Sequence, residues 1–374
     1  MNSIIKKIRL KTLETLVGLQ NTIDYRRRRS SLEVLVDEEL EKNLRTKQKT
    51  ILYVGIRYDY GKKYWGLSYE HYNFYKTLVD MGYSVIYFDY DRLKGKFGIS
   101  KMSEMLREAV YLHNPDFLFY FHYHDWIQHD VWKEISDELP TNSIIFLADD
   151  HWRYDETKPV WTLFNLVCST DKEGFEKRRR EGSINAFLTQ WACNHFLFKN
   201  LNLSKLYDVS FVGRSSEKRR HFVDKLRKNG VNIKTFGIGW EKCSRVSQAD
   251  LIRIYNQSKI SLNISFASQG EKIQIKGRDF EAVGCGSLLL TRDTKDIAQF
   301  FVPGEEIITY IDEIDAAKKI EYYLKNENER ERIARKGFER LTREHTMEKR
   351  LLSILHSSNY VKRFSKIEKF GEMS

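Results

Sequence analysis

Apolar residues fall in short runs separated by amphipathic stretches, the spacing of strands alternating with helices. In the first half the runs lie at residues 51–56, 83–88, 117–121, 143–148 and 163–168. Helical patterns fill 67–81, stopped by Gly82, and 103–112, followed by Pro115. After a stretch without clear periodicity (187–206), the alternation resumes with strands at 208–213, 231–236, 259–264 and 287–291. A helix over 247–258 and a second beginning near Asp279 lie between them, and a charged helical tail runs from 313 to about 356. Strands this apolar are buried on both faces, which predicts parallel sheets covered by helices. The pattern divides the chain into a basic helical prefix (1–48), a domain over 49–200, a domain over 201–345, and a C-terminal helix (346–374) expected to pack back on the first domain.

Length and composition are consistent with this division. The chain has 374 residues, 41% hydrophobic, enough for two cores of ordinary size. Four widely spaced cysteines without a CxxC pair read as reduced thiols. No signal peptide is legible and no apolar run approaches ~18 residues, so the expected location is cytoplasmic. The net charge of +11 fits nucleic acid, an anionic membrane surface or an anionic small molecule. Without a recognisable binding motif, nucleic acid is the weakest of the three. The prefix carries Lys6, Lys7, Arg9, Lys11 and Arg26–Arg29 beside Ile4, Ile5, Ile8, Leu13 and Leu16. Such a helix either packs on the protein's own surface or lies peripherally on the inner membrane face.

Ionisable residues collect where the strands end, the edge at which open α/β sheets bind ligands. His122-Tyr123-His124-Asp125-Trp126 follows one strand and Asp149-Asp150-His151-Trp152-Arg153 another. His124 and Asp150 are the candidate proton-accepting residues, with Asp149, His151 and Trp152 candidates for holding a substrate. Asp89-Tyr90-Asp91 has the D-x-D form of a metal motif, but an acidic strand end is common for structural reasons, and no ligand cluster supports a metal.

In the second half, Gly213 precedes Arg214, Lys218, Arg219 and Arg220, placing cations at a helix start. The same logic recurs at Lys276-Gly277-Arg278-Asp279-Phe280-Glu281, after Ser265 and its loop. Free backbone N–H groups and the helix dipole favour an anion at both places, and Glu281 could accept hydrogen bonds from ribose hydroxyls. The plainer reading of both is a solvated basic face. No G-x-G-x-x-G follows the first strand, so a nicotinamide or flavin dinucleotide is not expected.

V-S-F-V-G-R (209–214), N-I-S (263–265) and Q-I-K-G-R-D-F-E-A-V-G-C-G (274–286) resemble the GT-B glycosyltransferases. The closest resemblance is to the spore-maturation-protein-like branch of the glycosyl transferases group 1. P-G-E-E-I-I-T-Y (303–310), R-E-H-T-M-E-K-R (343–350), A-D-D-H-W-R-Y-D (148–155) and Q-W-A-C-N-H (190–195) fit the same branch. The resemblance implies two facing Rossmann-like domains with a deep interdomain cleft, the donor on the second domain and the acceptor on the first. It implies an enzyme with no cofactor, using a UDP- or GDP-linked sugar as co-substrate and a surface glycan, a lipid-linked group or another hydroxyl as acceptor. Arg214, with Lys218, matches the diphosphate-binding position; Lys276 and Arg278 lie beside Glu281, which matches the ribose-binding glutamate; His124 matches a histidine near the transferred sugar. Retaining relatives carry a second glutamate eight positions earlier, where this chain has Ile273, so retention and inversion both stay open. The alternatives are a non-catalytic nucleotide- or carbohydrate-binding protein on this fold and a transferase acting on modified nucleic acid.

Overall fold

The protein is described by a computed structural model over residues 49–241, 245–266 and 273–371, excluding the side chains of 151 and 360–371. The prefix 1–48, expected as a helix either packed on the protein's own surface or lying on a membrane face, is outside the described residues. The chain divides into two units, one ending at Gln190 and regaining the chain from Leu351, the other spanning Trp191–Arg350.

In the first unit, β1 (Thr50–Gly55), β2 (Ser84–Asp89), β3 (Phe117–His122), β4 (Asn142–Leu147), β5 (Leu166–Ser169) and β6 (Ala186–Leu188) form a sheet ordered β2-β1-β3-β4-β5-β6. Every pairing in it is parallel. The alternation along each strand sorts two cores. On one face Leu52, Phe88, Leu118, Tyr120 and Ile145 pack with α2 (Tyr90–Phe97), α3 (Ile99–His113) and α4 (His129–Glu138), whose Leu93, Leu106 and Trp132 are buried. The other face is aromatic. Tyr53 stacks on Tyr87 and Phe119 at 5.5 and 6.0 Å. Phe74 meets Phe119, Phe121 and Phe146 from a π-helical turn, His71–Tyr75, that runs into α1 (Lys76–Asp80).

Two helical expectations change. The segment expected as one helix over 67–81 is interrupted by that π turn, which brings His71, Asn73 and Phe74 to the buried side together. No helix is expected on either side of the strand at 163–168, yet Asp150–Trp161 is α5 and Lys172–Arg180 is α6.

In the second unit, β7 (Tyr207–Val212), β8 (Ile233–Phe236), β9 (Ser258–Leu262), β10 (Leu288–Arg292) and β11 (Ile308–Tyr310) are parallel in the order β11-β10-β9-β7-β8. Helices α7 (Glu217–Lys228), α8 (Gln248–Asn256), α9 (Gly277–Gly284), α10 (Glu313–Lys325) and α11 (Glu327–Glu344) accompany it. The last helix, α12 (Met347–Gly371), begins in this unit and continues into the first, where Asn142 Nδ2 donates to Asn359 Oδ1 at 3.1 Å.

In each sheet the chain lays two strands on one side and then crosses to the other. The switch lies between β1 and β3 in the first sheet and between β7 and β9 in the second. In open α/β sheets ligands bind at such a switch, beyond the carboxyl ends of the strands.

Candidate functional site

Around the β7/β9 switch the second unit builds a cationic turn on a rigid base. Gly213 leaves β7, its N–H donating to Phe236 O at 2.9 Å, and Trp240 Nε1 donates to Gly213 O at 2.8 Å. Gly237, at φ +117, sits where a Cβ would meet Gly213 O at 2.7 Å, so the two turns lock only through a glycine. Ser216 caps α7 by accepting from Arg219 N at 3.3 Å.

That cap aims Arg219 at Phe211, with its guanidinium carbon 5.7 Å from the ring centroid. Arg278, from the first turn of α9, reaches the same ring at 5.7 Å. Arg219 Nη1 donates to Arg214 O at 2.8 Å, but its Nε is buried without a hydrogen-bond partner, as is Arg278 Nη1. Burial, followed by the charge of Arg278, pulls the Arg219 pKa down to about 9. Two guanidiniums thus converge on one spot with buried N–H groups unspent. That is a costly arrangement alone and a favourable one around an anion.

Helix α9 is anchored from below by a polar cluster inside the sheet. Asp279 accepts from Lys276 N and Thr291 Oγ1, both at 2.8 Å, and from Asn263 Nδ2. Tyr310 Oη donates to Asn263 O at 2.8 Å. Burial raises the Asp279 pKa against the pull of those donors. The cluster fixes where α9 starts, and so where Arg278 points.

Among the donor candidates, Arg214 stands exposed on the turn, and Lys218 Nζ lies 5.7 Å from the Phe266 ring. Half-buried Lys276 donates to Gln274 Oε1 at 2.8 Å. Glu281 is 3% exposed, one turn below Arg278 on α9. Ser265 departs from expectation. It is 6% exposed and its hydroxyl accepts from Asn263 Nδ2 at 2.8 Å, so it belongs to the anchoring cluster rather than presenting itself to a ligand.

In the first unit, His124 lies at the β1/β3 switch. It stacks on Trp126 at 4.1 Å, and its backbone N–H donates to Tyr90 Oη at 3.1 Å. Burial first, then the charge of Arg153, lowers its pKa, so the ring is held neutral and able to accept a proton. Arg153 Nη2 fastens this loop by donating to Tyr123 O at 3.0 Å, and Arg153 lies 5.6 Å from the Trp152 ring, itself 41% exposed. Asp149 sits half-buried at φ 55 before α5, and the side chain of His151 is outside the described residues.

Asp150 requires a correction. Its side chain is fully buried, gripped by both terminal nitrogens of Arg178 and by Ser169 Oγ at 2.6 Å. A carboxylate so engaged cannot reach an acceptor; it joins α5, α6 and β5 as an internal ion pair. The acidic strand end Asp89 is likewise a helix cap, accepting from Arg92 N at 3.4 Å. Among the described residues no group of histidine, cysteine and carboxylate side chains could hold a metal ion, and no helix is long and apolar enough to cross a membrane.

Sequence reasoning passed over Arg178, Asn263 and Thr291 and did not single out Arg219. The Asp150–Arg178 contact spans 28 residues and left no local trace.

Residues 214–356, within and just beyond the second unit, match the family described as glycosyl transferase-like. No curated protein matches the chain. A sucrose-phosphate synthase from Thermosynechococcus elongatus is similar in structure at 12% identity and a TM-score of 0.55, covering 86% of this chain and 100% of that one. HepE from Anabaena, in complex with UDP and glucose, is similar at 11% identity and 0.55, covering 83% and 100%. A glycosyltransferase from Rickettsia africae is similar at 11% identity and 0.56, covering 84% and 98%. The architecture is that of the GT-B glycosyltransferases: two α/β, Rossmann-like domains, each on a parallel sheet.

Proposed function

We propose that the protein transfers a sugar from a nucleoside diphosphate, UDP- or GDP-linked, to a hydroxyl acceptor, without a metal. The observation that carries this reading is the convergence of Arg219 and Arg278 on Phe211 with buried N–H groups lacking partners. A diphosphate supplies what that pair lacks. In the transfer, the bond from the anomeric carbon to the β-phosphate oxygen breaks, and a new bond forms to the acceptor oxygen. Charge grows on the leaving diphosphate, and two preorganised cations stabilise it more than they stabilise the bound donor. Arg214 and Lys218 extend the cationic turn, and Glu281 is the ribose ligand. If the transfer inverts, the acceptor proton passes to His124, whose depressed pKa keeps the ring neutral.

HepE is bound to UDP and glucose, which supports UDP as the first nucleotide to try. The spore-maturation-protein-like branch rests on the motifs at 148–155 and 274–286. The test is release of nucleoside diphosphate from a panel of UDP- and GDP-sugars, in EDTA, with candidate hydroxyl acceptors. Acceptor-dependent release that disappears in Glu281→Gln supports the reading. Nucleotide binding with no turnover of any sugar nucleotide favours a binding protein instead.

A further inference from the structure

The β1/β3 switch of the first unit carries a group of aromatic rings that the donor reading does not use. We propose that the loops after β1 and β3 form a stacking platform for pyranose rings, so that the acceptor is a saccharide chain. This rests on the transfer reading above and names the acceptor class for it.

Residues 56–69 fold into a tight loop. Asp59 N donates to Gly66 O at 3.0 Å, and Ser68 N and Oγ donate to Arg57 O and Ile56 O at 2.9 and 2.7 Å. Within it, two short 3-10 turns, Asp59–Gly61 and Lys63–Trp65, raise three rings side by side. Tyr60 meets Trp65 edge-on at 5.0 Å, Tyr64 meets Trp65 at 5.9 Å, and Tyr60 meets Tyr123 of the β3 loop at 5.7 Å. Edge-to-face packing fixes the rings against one another while keeping much of their area in water: Tyr60 is 54% exposed and Tyr64 75%.

Tyr60 holds a left-handed backbone, φ 50 and ψ 29, which a bulky aromatic adopts only at a conformational cost. Gly61, at φ +69, lets the turn close onto α2, since a Cβ there would lie 2.2 Å from Asp91 Oδ2. The rings are therefore placed by the fold before a ligand arrives, which limits its ordering cost.

Charges of both signs flank the rings. Lys62 Nζ lies 5.1 Å from the Trp65 ring and Lys94 Nζ 3.6 Å from the Trp126 ring, with Lys63 beside them. Asp59, Asp91 and Asp125 stand on the same loops and on α2. With Arg57, Arg92 and Lys96, these segments carry six cations against three carboxylates, so the flat rings rather than the net charge carry the choice of a sugar. Flat rings ringed by hydrogen-bonding groups of both signs suit the C–H faces and hydroxyls of sugars.

The test uses the full chain, with Tyr64→Phe, Tyr64→Ala and Tyr60→Ala/Tyr64→Ala. Tyr64 is exposed enough that its loss leaves the fold in place. Each protein is applied to an immobilised array of hexose, N-acetylhexosamine and deoxyhexose oligosaccharides, and to phosphatidylglycerol vesicles. UDP- and GDP-induced thermal shifts are measured in parallel. The expected result is retention on one class of glycan, kept by Tyr64→Phe and reduced at least tenfold in the double variant, with nucleotide shifts unchanged. A wild-type protein that retains no glycan, retention indifferent to both tyrosines, or retention on vesicles that the double variant loses would each overturn the platform. A wild-type protein shifted by neither UDP nor GDP fails the transfer reading itself, and the acceptor role with it.

Discussion

Replacing Arg278 with methionine has two opposite expected effects. The methionine keeps an apolar stem over Phe211, 5.7 Å from the present guanidinium, but removes a charge and a buried N–H that has no partner. An unsatisfied buried donor costs about 1–3 kcal/mol, and the substitution also relieves the repulsion that Arg278 exerts on Arg219. The unliganded variant is therefore expected to be more stable by about 1 kcal/mol, a rise of roughly 2–4 °C in the melting temperature of a unit of this size. A charge-assisted hydrogen bond to phosphate contributes about 1.5–3 kcal/mol, so nucleoside diphosphate affinity should fall by about 10- to 150-fold. Differential scanning fluorimetry, without ligand and across a UDP and GDP series, reads both effects in one experiment. A variant that melts several degrees lower yet keeps the full nucleotide shift would refute the argument, because Arg278 would then be a packing residue.

Three further outcomes follow from the same geometry. Gly213→Ala places a Cβ 2.6 Å from Arg278 Nη1 and should displace that guanidinium, weakening nucleotide binding about tenfold by titration calorimetry while circular dichroism stays unchanged. Arg178→Met leaves Asp150 buried and uncompensated and should cost about 3–5 kcal/mol in urea denaturation; adding Asp150→Leu should recover most of it. His122 is buried with neither ring nitrogen paired, and burial lowers its pKa from 6.5 to about 3. Between those values the unfolded chain binds more protons, so stability falls with decreasing pH by up to about 1.4 kcal/mol per unit from this group. His122→Phe should flatten the loss between pH 6.5 and 4 in denaturation midpoints; an unchanged slope would show that another group governs it. Asp89, raised to about 6, acts in the opposite sense as pH falls below that value.

The sheets and the switch to a second α/β series were legible because parallel strands write themselves as contiguous apolar runs, such as 117–121 and 287–291. The cationic helix starts at Gly213 and Lys276 were legible for a similar reason: a glycine, a basic residue and a following helix are local features. Contacts across the sequence were not. Nothing near Asp150 announces Arg178, and an acidic residue at a strand end looks the same whether it is a base or half of a buried ion pair. Ser265 was misplaced because a loop serine gives no sign of which way its hydroxyl turns. The tyrosines at 60 and 64 were visible as residues but not as a display, since their exposure depends on two 3-10 turns and a left-handed backbone that local propensity does not favour.

The central claim is that Arg219 and Arg278 form the seat of a diphosphate. Isothermal titration of the full chain with UDP, UMP, GDP and GMP in EDTA tests it most directly. The account predicts that one diphosphate binds without added metal, that its monophosphate binds at least tenfold more weakly, and that Arg219→Met with Arg278→Met abolishes the difference between them. Equal affinity for the mono- and diphosphate, or binding that requires a divalent cation, would contradict it.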